Sequence, residues 1–353
     1  MHFKIIIPMY NVEPWVEKTI RSVLSQTYQN YQCMIVDDCS TDHSAAIVES
    51  LIKNDHRFNL IKNTTKKTII ENRVFGIKMS NPNNDDIIIT VDGDDWLAHE
   101  HVLDRVKQAY DTSQCMITYG SYEEYPSGET SHSWMQELPD IIKMCGLYRH
   151  YQWQLSHLRT FKYALFSHIK HSDFKDDNGN YFNSATDLAF MFPLSELAHG
   201  NITFIPDILY IYNRETALNI DKINLPYQIE CDMAIRRKQP YNALSMIDYP
   251  PLKQPLPIEK LHGFIFHDLR SKPAISQLYS ELGAILFYKE RYHDAILYFE
   301  ESLSYDYLER SYKYLIQSYL SLNQFKKATE IYKQANQNLH HPLPNMNALL
   351  EIK

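Results

Sequence analysis

The sequence predicts an α/β domain followed by a smaller all-α module. Short β-rich runs alternate with stretches of helical periodicity over the first ~120 residues, which is the pattern of a mainly parallel sheet with helices on its faces. A Pro-rich segment then precedes a strongly helical region that contains an internal repeat. At 353 residues, the chain is long enough for two such domains.

The strand candidates are five short apolar runs rich in Ile, Val, Phe and Tyr. They are Phe3–Pro8, Tyr31–Val36, Phe58–Ile61, Ile87–Val91 and Met116–Tyr119. Between the first three runs, Glu13–Gln26 and Thr41–Leu51 each place their apolar residues on one side of a helix. This order of strands and helices predicts the layers of an α/β sheet.

The periodic pattern fades between Ser121 and Met144. This stretch is rich in Gly, Pro, Ser and acidic residues, so it is predicted to be a loop. Regular structure is expected again over Trp153–Ile169 and over Thr186–Asn213.

The C-terminal region repeats itself with an offset of 33 residues, which aligns Ala295 with Ala328. Around these alanines, the spacing of large and small residues resembles tetratricopeptide repeats, although Ile316 stands where the second copy should carry Gly. Two copies fall short of the ~3 needed for an independent solenoid. We therefore expect self-association, a protein partner, or docking on the preceding domain. The predicted organisation is a sheet domain (1–220), a Pro-rich linker (221–270), helical repeats (271–336) and a tail (337–353).

Charge and composition narrow the possible partners and location. A net charge of −8 gives no broad cationic surface for a nucleic-acid backbone, so nucleic acid is not an expected partner. The five cysteines lack CxxC spacing, which favours a reducing compartment. No signal peptide is evident, and no run reaches the ~18 apolar residues of a membrane span. We expect a soluble cytoplasmic protein, with any membrane contact peripheral.

The strongest chemical signal is an apolar strand that ends in three carboxylates and one glycine. Asp92, Gly93, Asp94 and Asp95 follow Ile88–Val91 directly. Open α/β sheets bind ligands at the carboxyl ends of their strands, and clustered carboxylates are best tolerated around a cation. Oxygen ligands of this kind favour Mg²⁺ or Mn²⁺. The alternative is an acidic surface turn in which Asp95 caps the following helix.

Two more polar segments end strands at the same predicted edge. Asp37 and Asp38 follow the second strand, and Pro8–Asn11 end the first. The glycine-rich GxGxxG loop of dinucleotide-binding proteins is missing there. Its absence argues against a dinucleotide as the ligand of this edge.

Taken together, four ordered motifs resemble the family 2 glycosyltransferases of the GT-A fold, a Rossmann-like, mostly parallel sheet flanked by helices. The motifs are Pro8–Asn11, Val36–Asp42, Glu71–Gly76 and Asp92–Asp95, and the resemblance covers about residues 1–215. It implies transfer of a sugar from a nucleotide-sugar, expected to be a UDP-sugar, to a hydroxyl of a glycan or protein. It also implies dependence on Mn²⁺ or Mg²⁺ and inversion at the anomeric carbon.

The resemblance assigns roles to individual residues. The implied donor-binding residues are Pro8, Tyr10, Asn11, Asp38, Arg73, Asp92, Asp94, His157, Arg159 and Arg214. The implied metal ligands are Asp94, Asp92 and Asp95, and the implied general base is Asp187. Thr186 replaces the Glu that usually precedes this base, and an Asp at a helix start is also an ordinary N-cap.

Two other functions remain open at the level of sequence. A catalytically silent scaffold could use the same fold while its repeats recruit a partner, but it would be expected to lack Asp94 or Asp187. A nucleotidyltransferase shares the fold class but usually has a Gly-rich, basic loop after the first strand. The chain has Met9–Glu13 at that point.

Overall fold

A computed structural model of the protein describes residues 1–216, 224–244, 249–339 and 341–343. The chain forms two compact units. The first comprises Met1–Arg149 and Trp153–Ile247, and the second comprises His150–Gln152 and Asp248–Lys353.

The predicted linker and tail fall partly outside the described residues. Residues 221–223 and 245–248 of the linker, and residues 340 and 344–353 of the tail, are outside them. The remainder of the segment 221–270 is divided between the two units, since the second unit begins at Asp248 in this part of the chain.

Four parallel strands form one half of the sheet in the first unit. They are β1 (Phe3–Met9), β2 (Tyr31–Asp37), β3 (Phe58–Lys62) and β4 (Ile87–Thr90). Their order in the sheet is β3-β2-β1-β4, with β1 paired to both β2 and β4. Since they run in the same direction, the segments that follow β1, β2 and β4 meet at one edge.

The other half of the sheet is mixed. It contains β5 (Trp96–Leu97), β6 (Ile117–Tyr125), β7 (Thr160–Lys162) and β8 (Ile202–Asn213). β7 runs antiparallel to β4 and β6, β8 is parallel to β6, and β5 is antiparallel to β8. The complete order is β3-β2-β1-β4-β7-β6-β8-β5, and the predicted α/β class is confirmed.

Helices surround this sheet. They are α1 (Val16–Leu24), α2 (Ser44–Ile52), α3 (Ile69–Met79), α4 (Val102–Ser113), α5 (Asp140–Cys145), α6 (Tyr163–Phe166), α7 (Thr186–Ala198) and α8 (Leu225–Arg237). Ile5 and Ile7 of β1 belong to the core cluster that includes residues of α1 and α4. Ile6 points to the opposite side and contacts α3, where a Cβ on Gly76 would lie only 2.7 Å from Ile6 Cγ2. The central strand is therefore buried on both faces.

The prediction of a loop between Ser121 and Met144 was wrong at both ends of the segment, where the structure has a strand and a helix. β6 continues to Tyr125, and α5 begins at Asp140. The extension of β6 is held by pairing with β8, as in the pair of Tyr125 with Asn213, 88 positions further along the chain. The composition of residues 121–125 does not reveal that β8 will pair with them, so the strand could not be predicted from it.

The second unit is helical. It contains α9 (Ile258–Leu261), α10 (Lys272–Tyr288), α11 (Tyr292–Tyr305), α12 (Glu309–Ser321) and α13 (Phe325–Asn338). Ala295 and Ala328, the residues aligned by the repeat, are both fully buried. Gly283 approaches the Phe299 ring so closely that a Cβ would lie 2.7 Å from Cε1. The prediction of a C-terminal helical module is confirmed, while its tetratricopeptide-like character stays a prediction.

Among the residues that the structure describes, no helix is both long and apolar enough to cross a membrane.

Candidate active site

The segment after β1 is fixed against the loop that follows β2. The register places Pro8 beside Val36 and Met9 beside Asp37. Asn11 adopts a left-handed backbone conformation with φ 49°, and its Oδ1 accepts a hydrogen bond of 2.8 Å from the Thr41 N–H. The two predicted segments therefore lie together at the edge of the sheet, as the sequence indicated.

Asp38 is buried at this edge, with one carboxylate oxygen hydrogen-bonded inside the protein. Its Oδ1 accepts from Asn63 Nδ2 at 3.0 Å and from the Lys67 backbone N–H at 2.8 Å. Nearby, Lys66 Nζ lies 3.1 Å from the centre of the Tyr10 ring. Asp38 is thus held in a defined orientation, and its backbone N–H donates to the Met9 carbonyl oxygen at 2.9 Å, next to the segment that follows β1.

Asn63 was missed by the sequence analysis. It follows β3, and its Nδ2 also donates to Asn72 Oδ1 at 2.7 Å, so it links Asp38 to α3. A polar residue directly after a strand at the shared edge was the signal that could have identified it.

Gly93 explains how the acidic turn after β4 reaches the end of β1. A Cβ at this position would lie 2.7 Å from Met9 Cβ and 2.9 Å from the Pro8 carbonyl oxygen. Because the backbone atom cannot move away cheaply, only glycine fits. The close approach brings Asp92 and Asp94 next to the segment Pro8–Asn11.

The three carboxylates of this turn have different surroundings. Asp95 is buried, and its two oxygens accept hydrogen bonds of 2.7 Å each, from the Tyr210 hydroxyl and from the Asn213 backbone N–H. Burial and the neighbouring carboxylate of Asp94 raise its pKa well above the ordinary value. Asp95 is consequently engaged in fastening the turn to β8.

Asp94 lies in surroundings that disfavour its negative charge. Burial, followed by repulsion from Asp92, raises the pKa of Asp94 to about 6. A nearby positive charge would favour its ionised form. Within the described residues, no group of three or more His, Cys, Asp or Glu side chains forms a complete metal site. The pair Asp92 and Asp94 does fit a hard divalent cation that takes its other oxygen ligands from water or phosphate.

Arg73 joins the acidic turn to the candidate base. It lies on α3 with 3% of its surface exposed, and its Nη2 donates to Asp92 Oδ1 at 2.7 Å. Its Nη1 donates to Asp187 Oδ1 at 2.7 Å and to Thr186 Oγ1 at 3.2 Å. Burial lowers the pKa of Arg73, but the carboxylates of Asp92 and Asp187 outweigh it and raise the pKa overall. Thr186 is a second residue that the sequence analysis did not assign to the site.

Asp187 is held between two arginines at the start of α7. Its Oδ2 lies 2.8 Å from Arg159 Nη1, whereas Arg73 contacts the other carboxylate oxygen, Oδ1. Burial raises the pKa of Asp187, but attraction to Arg159 and Arg73 prevails and holds it well below the usual range. The candidate base is therefore ionised at neutral pH and paired with both arginines.

His157 lies beside this ion-pair cluster but carries no charge. Its ring stacks on Tyr210 with the centres 4.3 Å apart, and burial followed by the charge of Arg159 lowers the pKa of His157 to about 3. A buried neutral imidazole can orient a ligand by hydrogen bonding, while the cationic role falls to the arginines. Arg214 lies at the end of β8, with its guanidinium 5.5 Å from the centre of the Tyr212 ring.

Comparison with known proteins supports a transferase. Residues 4–173 match the family model described as "Glycosyl transferase family 2". The chain is similar to the glycosyltransferase GlyG of Streptococcus pneumoniae, with 23% identity over 225 residues, 60% of this chain and 70% of that protein. An uncharacterised glycosyltransferase of Haemophilus influenzae is 31% identical over 118 residues, 33% of this chain and 46% of that protein.

The structure of S. aureus TarS 1–349 in complex with UDP-GlcNAc aligns with a TM-score of 0.47 and 14% identity, over 96% of this chain and 91% of that chain.

Proposed function

We propose that the chain, whose residues 4–173 match the family 2 glycosyltransferase model, transfers a sugar from a nucleotide-sugar to an acceptor hydroxyl, with a divalent cation and with inversion. A UDP-sugar is the first donor to test, and a glycan or protein hydroxyl is the proposed acceptor. The observation that carries the proposal is the continuous cluster Asp94, Asp92, Arg73, Asp187 and Arg159 at one edge of the sheet.

We assign the nucleotide to the edge formed by β1 and β2. Pro8, Tyr10 and Asn11 form one wall, and Asp38 is buried in an orientation fixed by Asn63 and Lys67. A carboxylate held in this way can accept hydrogen bonds from the base or ribose of a nucleotide. The ribose and diphosphate would then extend toward Asp92.

Asp94 and Asp92 would hold the divalent cation, Mn²⁺ or Mg²⁺. Asp95 would support the turn through its hydrogen bonds to Tyr210 and Asn213. The raised pKa of Asp94, caused by burial and by Asp92, supports this assignment because it marks a carboxylate that lacks a compensating charge. When bound, the cation would neutralise the negative charge that develops on the diphosphate as it leaves.

Arg159 and Arg73 supply fixed positive charge on the other side of the diphosphate. Both side chains are almost fully buried, where preorganised cations act more strongly than in water. His157 adds a neutral hydrogen-bonding group next to them. Arg214 is assigned to the outer part of the donor site.

Asp187 is the proposed general base. The acceptor oxygen forms a bond to the anomeric carbon as its proton moves to the carboxylate, and the bond between carbon and phosphate oxygen breaks with its electron pair leaving on the diphosphate. A single displacement of this kind inverts the anomeric centre. General-base assistance by a positioned side chain typically contributes ~10²–10⁴ in rate.

The proposal is tested by donor hydrolysis, in which water replaces the unidentified acceptor. UDP-, GDP-, dTDP- and ADP-sugars are incubated with the full-length protein, with Mn²⁺ or with EDTA, and the released nucleotide is measured. We expect one donor class to be hydrolysed only with the cation and the Asp94→Asn variant to be inactive. Equal hydrolysis in EDTA would contradict the metal role, and failure of every donor would contradict the donor class.

Association through the C-terminal helices and a cytoplasmic location are further parts of this proposal. Light scattering on the full-length protein would distinguish self-association from a monomer. Fractionation of the producing cells would test the location.

A further inference from the structure

The two arginines that flank Asp187 are held in different ways. Both terminal nitrogens of Arg73 donate aligned hydrogen bonds of 2.7 Å, one to Asp187 and one to Asp92. Arg159 Nη1 lies 2.8 Å from Asp187 Oδ2, but its N–H groups are not aligned with that oxygen. The contact of Arg159 is thus an ionic one without a directed hydrogen bond.

Arg159 is also deeply buried. Its side chain is 3% exposed, and within the described part of the chain neither Nη1 nor Nη2 has a hydrogen-bond partner. Buried charged donors without acceptors are costly, and native proteins usually satisfy them. This arrangement indicates that a bound anion supplies the missing hydrogen-bond acceptors of Arg159.

The diphosphate of the donor is the anion that the proposed function brings to this place. Phosphate oxygens offer several acceptors to a planar guanidinium and can engage two of its N–H groups at once. The Asp187 carboxylate, which Arg159 contacts without an aligned hydrogen bond, competes poorly with a phosphate for this guanidinium. Arg73, in contrast, donates aligned hydrogen bonds to both Asp187 and Asp92, so we expect it to stay bound to Asp187.

We propose that the donor diphosphate draws Arg159 away from Asp187, so that donor binding itself frees Oδ2 of the base while Arg73 continues to hold Oδ1. This inference rests on the proposed function. Oδ2 then becomes the atom that receives the acceptor proton. A consequence is an order of events in which the donor binds first, because the base is occupied by Arg159 until the donor arrives.

Replacing Asp187 should strengthen nucleotide binding, which is the opposite of the usual effect of replacing a residue in a binding site. If Asp187 competes with the diphosphate for Arg159, then Asp187→Asn should tighten the binding of a nucleoside diphosphate. We expect a decrease in Kd of about fivefold or more, as for other coupled binding equilibria. The measurement is calorimetric titration of the full-length protein with Mg²⁺ and the tightest of UDP, GDP, dTDP and ADP.

Two comparisons separate competition from a general charge effect. Asp177→Asn removes the same charge from an exposed position in the loop before α7, and it should leave the Kd unchanged. In an Arg159→Gln background, Asp187→Asn should change the Kd by less than about twofold, because the contested cation is absent. Thermal melting of each variant verifies that the protein is folded.

The possible outcomes are distinct. Tighter binding in Asp187→Asn that disappears in the Arg159→Gln background supports the inference. Unchanged or weaker binding in Asp187→Asn overturns it, and so does tightening that persists without Arg159, while the proposed function stands in both cases. Failure of the wild-type protein to bind any of the four nucleotides would overturn the donor class and the inference together.

Discussion

Replacing Asp94 by asparagine is expected to stabilise the metal-free protein at neutral pH. The carboxylate of Asp94 loses hydration by burial and faces the negative charge of Asp92, and these two effects raise its pKa to about 6. Asparagine has nearly the same shape and no charge. The substitution therefore removes the unfavourable charge and leaves the turn around Gly93 intact.

The size of the effect follows from the pKa. The difference between the ordinary value of 3.8 and about 6 corresponds to about 3 kcal/mol at a pH where the group is ionised in both states. Because the side chain keeps some contact with water, we expect about 1–3 kcal/mol. For a domain of this size, that free energy raises the melting temperature by about 2–10 °C.

The pH dependence has a defined sign. The folded-state pKa of Asp94 is raised, so its ionisation opposes folding fully above about pH 6 and ceases to oppose it once the group is protonated in both states, below about pH 4. The advantage of Asp94→Asn should therefore shrink as the pH falls through this range. Melting curves in EDTA from pH 4 to pH 8 measure it.

The control for this prediction is Asp85→Asn, which removes an exposed carboxylate close in sequence. It should change the melting temperature by less than about 1 °C, as expected for an isolated surface charge. Mg²⁺ with UDP should stabilise the wild-type protein and not Asp94→Asn. If Asp94→Asn were no more stable than the wild type at pH 8 in EDTA, the account of Asp94 as an uncompensated carboxylate would be refuted.

Three other substitutions test separate parts of the structure. Asp187→Asn should lower donor hydrolysis or transfer by about 10² or more, because the base is lost. Gly283→Ala should destabilise the helical unit by about 1–3 kcal/mol, since its Cβ would lie 2.7 Å from Phe299 Cε1. Arg149→Met should destabilise the first unit by about 3–5 kcal/mol, because it leaves Glu196 buried without the cation that now contacts both of its oxygens. Activity assays measure the first and chemical denaturation the other two.

Each of these has a matched control. Asp177→Asn should retain donor hydrolysis, Gln277→Ala tests an exposed site on the helix of Gly283, and Arg237→Met removes an exposed arginine. Equal behaviour of a test variant and its control would contradict the corresponding interpretation. In particular, Gly283→Ala would then show the usual gain of alanine over glycine in a helix.

The first four strands and their common edge could be predicted from the sequence because the signals are local. The four runs that became β1 to β4 are apolar, short and followed by polar residues, and the strands of a parallel sheet end at a common edge. This common edge is enough to predict that Asp92–Asp95 lie at the site. The repeat that aligns Ala295 with Ala328 was also visible, since helices that pack on one another need small residues at fixed intervals.

The extension of β6 to Tyr125 could not be predicted in this way. Its sequence has the composition of a loop, and the strand exists because β8 supplies a hydrogen-bonding partner. The role of Asp95 was left open for a similar reason. The sequence shows three equivalent carboxylates, and only the packing of β8 brings Tyr210 and Asn213 to one of them.

By itself, the sequence determined the fold class and the edge of the sheet at which polar and acidic residues gather. The tertiary structure alone decided how those charges are paired. Arg73 joins Asp187 across 114 positions of the chain, and Arg159 reaches the same carboxylate from the position before β7 without forming an aligned hydrogen bond. Periodicity and composition describe a residue's immediate neighbourhood, whereas the charge state of a buried carboxylate depends on which distant side chains the packed layers bring within about 3 Å.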